Sequence, residues 1–376
     1  MPTLFSRASR SARAFVRAVV FLLKVFPMIP SRLVDWLTPT PQVETVRYPT
    51  RNGEVQGEVY RPPGEGAHPG ILVCLGVVPF EVDHPQVPVL GRALARAGFA
   101  ALLYWSPAMR DFRLDPQDID NIALAYDWLT RQPWVDAARS GLLGTCVGGS
   151  FALMAAAHPL IRERAAFLSA YAPFSSMRTL ACDIASASVA SGEERTAWQV
   201  DQLTRRVFVH SLTAGLPPAE AAQLRAAYTP PGEPLDPAAG LSAAAQAVKS
   251  VLDAPDAAGA ESALRRLPAE WQARLDALSP LNHLDGLRAP VIALLHDRGD
   301  QLIPVGESRR LVAALASRAG VQYTEMGFAH LDPVKGRLPF PRLLREFARF
   351  FAALQPVFRQ SVGWEDVRFS ASKIAR

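Results

Sequence analysis

The stretch GLLGTCVGGS, residues 141–150, begins as an apolar run and continues into a glycine-rich segment with one cysteine. A short apolar run with glycine at its boundary is typical of a buried strand, and residues 148–158, GGSFALMAAAH, have helical spacing. Cys146 is therefore predicted to lie in a sharp turn from strand to helix. The glycines of this turn are Gly144, Gly148 and Gly149. Glycine suits such a turn because side chains there would collide with the adjoining strand and helix.

Strand and helix patterns alternate on both sides of this turn. Strands are predicted at 70–76, 100–105, 140–144, 164–173, 290–296 and 321–327, with helices at 88–99, 118–132, 148–158 and 306–320. Two further strands around RNGE, residues 51–54, are predicted to form a hairpin. This alternation predicts an α/β fold with a mostly parallel central sheet and helices on both faces.

The alternation stops near Pro173 and resumes near Pro290, and the residues between them are rich in alanine and favour helices. We interpret them as a helical insertion placed before the strand that leads to Asp300, either a cap over the sheet or an independent helical domain. The predicted units are an arm (1–40), a first core part (41–173), the insertion (174–279), a second core part (280–358) and a tail (359–376).

The N-terminal arm has the pattern of a basic amphipathic helix. Arg10, Arg13, Arg17 and Lys24 share one stripe, and Ala8, Ala12, Phe15, Val19, Leu22 and Phe26 fall on the opposite side. The apolar run AVVFLL is too short to span a membrane, and the stretch after it has no clear signal-peptide cleavage site. Two alternatives stay open: residues 4–26 contact an anionic membrane surface, or they pack on the body of the protein.

Composition excludes several functional classes. The net charge of +5 owes much to the N-terminal arm, so a general basic surface for nucleic acid is not expected. Three cysteines and seven histidines show no metal-ligand spacing, so neither a metal nor another cofactor is expected. The odd cysteine count suits a reducing compartment, and we expect a cytoplasmic protein, with peripheral membrane contact if the arm binds lipid. The sequence leaves the oligomeric state open.

Cys146 is either a small buried apolar residue or a nucleophile, and its partners decide between these readings. Two later strands run into loops that carry Asp300 and His330, in the chain order of nucleophile, acid and base. In this reading Asp300 orients the imidazole of His330, which takes the thiol proton. Asp297 is an alternative acid in the same loop, while Asp332 is expected to make local contacts.

The same geometry predicts two backbone donors for an oxyanion. One is the N–H of Val147, directly after the nucleophile, and the other is the N–H of Val77. His84 follows in the same loop as Val77 and is expected to lie close enough to contact a substrate. The N-terminus of the helix after Cys146 is expected to lower the pKa of the thiol.

With these motifs in place, the chain resembles the α/β-hydrolase superfamily and, within it, the dienelactone hydrolase-like family. The resemblance rests on GTCVGGS, LLHDRGDQLIP, GFAHLDP and YDWLTRQPWVDAARSGLLG, and covers about residues 45–172 and 285–355. It implies the α/β-hydrolase fold and a Cys–Asp–His triad. Dienelactone hydrolases carry a glutamate that activates the cysteine where this chain has Gly76, so Glu81 or Asp83 would have to replace it, or His330 and the helix dipole would have to suffice. They also lack the insertion.

Three functions follow from these observations. The first is hydrolysis of an ester, thioester or lactone of a hydrophobic acyl group through an acyl-cysteine. The second is acyl transfer by the same chemistry, since the motif G-x-C-x-G-G with its later Asp and His is also similar to acyl-CoA acyltransferases and polyhydroxyalkanoate synthases. The third is a binding protein without catalysis, which the complete set of triad candidates disfavours.

Overall fold

The fold is described from a computed structural model. It places residues 4–25, 32–77, 86–192, 194–230, 232, 235, 240–327 and 340–362. The strands are β1 (Gln42–Thr50), β2 (Gly53–Arg61), β3 (His68–Cys74), β4 (Ala100–Tyr104), β5 (Val135–Thr145), β6 (Phe167–Tyr171), β7 (Ser188–Ser191), β8 (Glu194–Ala197), β9 (Ile292–Asp297) and β10 (Val321–Met326).

Within the described residues, eight of these strands form one sheet in the order β1-β2-β4-β3-β5-β6-β9-β10. The first two form the predicted antiparallel hairpin, which pairs Thr50 with Gly53 at its turn, and β2 runs antiparallel to β4. From β4 to β10 all neighbouring strands are parallel. The carboxyl ends of the parallel strands therefore share one edge, where the predicted turn and acid loop lie.

Helices cover both faces of the sheet, as predicted. One face packs against α1 (Leu4–Val25), α3 (Gln86–Arg96) and α14 (Phe340–Ser361), and the other against α5 (Gln117–Thr130), α6 (Val147–Ala156) and α13 (Val305–Ala314). Side chains alternate along each strand: Ile71 and Val73 of β3 face the first layer, whereas Leu72 faces the second. Short helices α2 (Arg32–Leu37) and α4 (Pro107–Arg110) were not predicted.

The chain between β6 and β9, two strands adjacent in the sheet, forms the segment predicted as an insertion. Its helices are α7 (Met177–Ala185), α8 (Gln202–Leu212), α9 (Pro218–Tyr228), α10 (Ala243–Leu252), α11 (Ala257–Arg265) and α12 (Ala269–Ala277). We call this segment the cap. Phe208 and Leu212 of the cap share one buried apolar cluster with Leu142 and Phe151 of the core. The cap is thus packed on the core rather than standing apart from it.

The cap departs from the purely helical prediction in one place. Strands β7 and β8 pair as an antiparallel hairpin, Ser188 opposite Ala197 and Ser191 opposite Glu194. Gly192 lies at the turn with φ +67°, a conformation that glycine adopts without strain. Arg195 adds bonds to the Oγ and carbonyl oxygen of Ser188. Such a short hairpin has too little apolar alternation to be visible in the sequence.

The predicted apolar face of α1 is right only in part. Leu22 is buried as predicted, but Ala14, Ala18 and Phe21 are buried as well, whereas Ala12 is exposed and Phe15 is half exposed. Arg17, assigned to the outer basic stripe, instead points inward and donates to the carbonyl oxygen of Ser361 at the end of α14. The helix packs on α3 and α14, because small alanines let the backbones approach each other closely.

The remaining basic residue at this end of α1, Lys24, pairs with Asp35 of α2 at 2.7 Å. No helix among the described residues is both long enough and apolar enough to cross a membrane. At the other end of the chain, α14 continues to Ser361, three residues past the predicted end of the core, and residues 363–376 of the predicted tail lie outside the described residues.

Candidate active site

Cys146 occupies the turn between β5 and α6 with φ 55° and ψ −134°, a strained conformation for a residue with a side chain. The flanking glycines are required by contact distance. A Cβ at Gly144 would lie 2.4 Å from the carbonyl oxygen of Gly148, and one at Gly148 would lie 2.3 Å from that of Cys74. A Cβ at Gly149 would lie 3.2 Å from the carbonyl oxygens of Gly144 and Tyr171, which is a tight contact.

Hydrogen bonds hold this turn at the edge of the sheet. The N–H of Cys146 donates to the carbonyl oxygen of Tyr171 at the end of β6, 2.7 Å away. The carbonyl oxygen of Cys146 accepts from the N–H of Gly149 at 2.9 Å, which closes the first turn of α6. The strained backbone is thus fixed on both sides, and the thiol is presented at the carboxyl edge.

Asp300 lies in the loop after β9, at the same edge. It is buried, and its Oδ1 accepts from the N–H groups of Leu302 at 2.7 Å and Ile303 at 3.1 Å. Its Oδ2 lies 3.7 Å from Nε2 of His296. Two backbone donors on one oxygen fix the orientation of the carboxylate.

The alternative acid, Asp297, is also buried but is used differently. Its Oδ1 accepts from the N–H of Gly299 at 2.9 Å, which shapes the start of the loop. The fully buried His296 braces the same loop: Nδ1 lies 2.7 Å from Oγ of Ser308 and Nε2 lies 2.9 Å from the carbonyl oxygen of Ile303. These contacts give His296 a structural role: it holds the backbone that carries Asp300.

The electrostatics of Cys146 differ from the prediction. Burial and, second to it, the negative charge of Asp300 raise the pKa of the thiol to about 12, while the N–H of Val147 lowers it. The N-terminus of α6 was expected to lower the pKa of the thiol, but the cost of burying a charged sulfur outweighs the stabilisation from one backbone donor. With these groups around it, the thiol is protonated at neutral pH, and a base must remove its proton before the sulfur can act as a nucleophile.

Val77 and Val147, the two predicted oxyanion donors, line the same slot as Cys146. The residue before Val77, Gly76, lies directly against the turn: a Cβ there would be 3.1 Å from Cβ of Cys146 and 2.8 Å from the carbonyl oxygen of Thr145. The glutamate that dienelactone hydrolases carry at this position therefore has no room in this chain. Where those enzymes have a side chain, the loop of this chain and the turn at Cys146 lie backbone against backbone.

The slot beside Cys146 is narrow and apolar, with a volume of about 40 Å³. Its walls come from the loop at Val77, from the acid loop at Leu302 and Ile303, and from the first two cap helices. The cap side chains are Met177, Leu180, Ile184, Leu203, Thr204, Val207 and Phe208. The cap thus covers the thiol with aliphatic and aromatic side chains.

A buried carboxylate, Glu307 of α13, ties the start of the cap to the core. It accepts from the N–H and hydroxyl of Ser175, from the N–H of Ser176 and from the hydroxyl of Thr179. Arg310 supplies the opposite charge. Sequence reasoning missed this residue, since an acid in GESRRLVAALASRAG has the same pattern as a solvent-facing helix position.

Several predicted positions lie outside the described residues, namely His330, His84, Glu81, Asp83 and Asp332. The role of His330 as the base therefore stays a prediction. Within the described part of the chain, no group of three or more His, Cys, Asp or Glu side chains is arranged to hold a metal ion.

No protein-family profile matches the chain. It is similar to the bile acid-CoA:amino acid N-acyltransferase of Mus musculus, 27% identical over 135 residues, which are 34% of this chain and 30% of that protein. It is also similar to the peroxisomal succinyl-coenzyme A thioesterase of Mus musculus, 31% identical over 115 residues, 29% of this chain and 25% of that protein. The matches thus span less than a third of either relative.

Among solved structures, an acylaminoacyl peptidase of Pyrococcus horikoshii superposes with a TM-score of 0.50 at 16% identity, covering 86% of this chain and 43% of that one. At this identity the likeness concerns the fold alone. Together with the strand order and the two helical layers, it shows that the chain has the α/β-hydrolase fold.

Proposed function

We propose that this protein is a cysteine-dependent acyl hydrolase that acts on thioesters of hydrophobic acyl groups. The observation that carries the proposal is the strained Cys146 turn, which shares one apolar slot with Val77 and Val147. The mouse relatives, a CoA thioesterase and a CoA-dependent acyltransferase, support a thioester among the possible acyl donors.

In the proposed reaction, His330 removes the thiol proton as Sγ of Cys146 attacks the acyl carbonyl carbon. The carbonyl oxygen becomes an oxyanion that accepts from the N–H groups of Val77 and Val147. When this intermediate collapses, the bond to the leaving thiol breaks, and His330 returns the proton to that thiol. Water, deprotonated by His330, then attacks the acyl carbonyl carbon; the C–S bond breaks, the carboxylic acid leaves and His330 returns the proton to Sγ of Cys146. Asp300 stabilises the imidazolium in both halves.

The raised pKa of Cys146 fits this sequence of steps, because a protonated thiol needs a base at the moment of attack. The cysteine is then deprotonated only as it attacks, as a catalytic serine is, and it is not a thiolate in the resting enzyme. Low reactivity in the absence of substrate is the expected consequence.

The test is intact-protein mass spectrometry after incubation with short- and long-chain acyl-CoA and with p-nitrophenyl esters. An acyl adduct is expected on the unmodified chain and on Cys182→Ala, and none on Cys146→Ala. Cys182 is a matched control, since it is also a free, partly buried thiol but belongs to the cap. Absence of both adduct and turnover with every acyl donor would overturn the proposal.

Acyl transfer is the second candidate. The cap over the slot favours it, because excluding water slows hydrolysis of the acyl-cysteine until another acceptor binds. The mouse N-acyltransferase relative supports it as well. Reaction in ¹⁸O water with added amines and alcohols separates the two: hydrolysis places ¹⁸O in the released acid, whereas transfer yields an amide or ester without it.

A further inference from the structure

A second and larger cavity opens beside the apolar slot, with a volume of about 680 Å³. We call it the polar groove. It lies between the cap and the core, since it is lined by residues 199–203, Arg206, Thr229 and Pro230 on one side and by Phe112 and Gln301 on the other. Its size is that of a site for a small molecule or cofactor.

The polar groove adjoins the proposed reaction centre. Leu203 lines both the groove and the slot. Gln301 lines the groove, while its neighbour Leu302 lines the slot, and Asp300 precedes both in the chain. A molecule with its acyl chain in the slot would therefore have its other end directed toward the groove.

The lining of the groove is suited to a negatively charged, hydrogen-bonding group. Arg206 lies over the ring of Phe112, with the guanidinium carbon 4.9 Å from the ring centroid. It makes no ion pair with any side chain in the described ranges, whereas the one acid of the lining, Asp201, is engaged with the N–H of Leu203 at 2.7 Å. A guanidinium presented in this way has its donors available for an oxyanion.

More cations stand behind Phe112. The guanidinium of Arg274 donates to the carbonyl oxygen of Leu114 at 2.7 Å, and that of Arg225 donates to the hydroxyl of Thr213 at 2.8 Å. Neither forms an ion pair among the described residues. Burial and the charge of Arg225 lower the pKa of His210, whose Nδ1 lies 3.3 Å from the carbonyl oxygen of Asp111. The loop at the back of the groove thus lies close to several cations, with Asp111 and Asp115 as the acids beside them.

We infer that the polar groove binds the phosphorylated end of the leaving thiol, with Arg206 as the residue that contacts phosphate. This inference rests on the proposed thioester chemistry and assigns it a substrate class: acyl thioesters of a phosphorylated pantetheine. The apolar slot holds the acyl chain and the groove holds the carrier, with the thioester carbonyl at Cys146 between them.

The experiment compares three thioesters of one acyl group: pantetheine, which has no phosphate, 4′-phosphopantetheine and coenzyme A. For the unmodified protein, kcat/KM is expected to be higher for the phosphorylated carriers. Arg206→Gln is expected to reduce this preference by roughly 10- to 100-fold, as for the loss of a charge-assisted hydrogen bond. Arg266→Gln, on the exposed face of the cap, is the matched control and is expected to keep the preference.

Retention of the full preference in Arg206→Gln, or no preference in the unmodified protein, would overturn the inference. A preference for both phosphorylated carriers supports phosphate recognition next to the pantetheine, while a preference for coenzyme A alone supports recognition of its nucleotide phosphates. Each of these two preferences supports the assignment to Arg206 only if Arg206→Gln loses the preference.

A binding measurement separates this inference from the proposed function. Calorimetry with free coenzyme A and Cys146→Ala protein requires no chemistry, and Arg206→Gln in that background is expected to weaken binding roughly 10- to 100-fold. Binding that depends on Arg206 without any turnover would sink the proposed reaction and leave the groove assignment standing. Turnover with equal kcat/KM for all three carriers would support the proposed reaction and overturn the assignment of the groove.

Discussion

Gly76 and Cys146 touch backbone to side chain at the edge of the sheet, so closely that a Cβ on Gly76 would lie 3.1 Å from that of Cys146. The contact brings the loop after β3 against the turn before α6. Both proposed oxyanion donors belong to these two segments. The spacing of the site is therefore set by the absence of a side chain at position 76.

Gly76→Ala is expected to destabilise the protein by about 1–3 kcal/mol, because the nearest atom, the carbonyl oxygen of Thr145 at 2.8 Å, is backbone and cannot turn away. Activity is expected to fall further than stability, as the two donor segments are forced apart. Urea unfolding and kcat/KM measure the two effects. Gly240→Ala is the control, since nothing lies within 4 Å of its added methyl; equal stability losses in both variants would contradict the argument.

Cys146 is expected to react slowly with iodoacetamide near neutral pH, and faster as the pH rises. With its pKa at about 12 instead of 9.0, its thiolate fraction at neutral pH is roughly a thousandfold below that of an ordinary cysteine. Peptide mass spectrometry over a pH series measures the labelling rate at this residue, and Cys146→Ala identifies the peptide. Rapid labelling at pH 7 would show that groups beyond those described ionise the thiol at rest.

Asp300→Asn is expected to lower kcat/KM by about 10²- to 10⁴-fold if Asp300 is the triad acid. The amide oxygen keeps the bonds from Leu302 and Ile303, so the loop is preserved while the charge that would stabilise His330 is lost. Asp297→Asn tests the alternative acid, and less than a tenfold loss is expected because Asp297 shapes the turn at Gly299. The reverse ranking of the two variants would transfer the role to Asp297.

Glu307→Gln is expected to destabilise the protein by about 1–3 kcal/mol, because a buried carboxylate that accepts several hydrogen bonds loses its charge. The neutral amide removes the nearer of the two carboxylates that face Arg310, leaving Asp183 at 3.9 Å, and weakens the bonds from Ser175 and Thr179 at the entry to the cap. Urea unfolding measures the loss, and hydrogen exchange of residues 175–180 locates it. Glu261→Gln, which removes an exposed pair with Arg265, is expected to cost less than about 1 kcal/mol.

Phe21→Ala is expected to destabilise the protein by about 3 kcal/mol, since the ring is buried and packs on Phe358 of α14 with centroids 5.3 Å apart. Val16→Ala on the same helix is the control, because Val16 is 58% exposed. Unfolding in urea measures both. Similar, small effects of the two substitutions would mean that α1 contributes little to the fold and would revive the interpretation of a membrane-contacting arm.

The sequence alone determined the features whose causes are local. The strand, turn and helix around Cys146 follow from an apolar run and from glycines that only such a turn requires, and the order of strands and helices follows from the spacing of apolar residues. The same spacing placed Asp300 at the carboxyl end of a parallel strand, and hence at the edge where Cys146 lies.

Tertiary structure decided the features that depend on contacts between residues far apart in the sequence. The apolar periodicity of α1 did not reveal that Arg17 faces Ser361, because the choice of buried face depends on the alanines that fit against α3 and α14. The sign of the pKa shift at Cys146 depends on burial under cap helices that lie far away in the chain. The groove around Arg206 exists only where the cap meets the core, so no single stretch of sequence contains it.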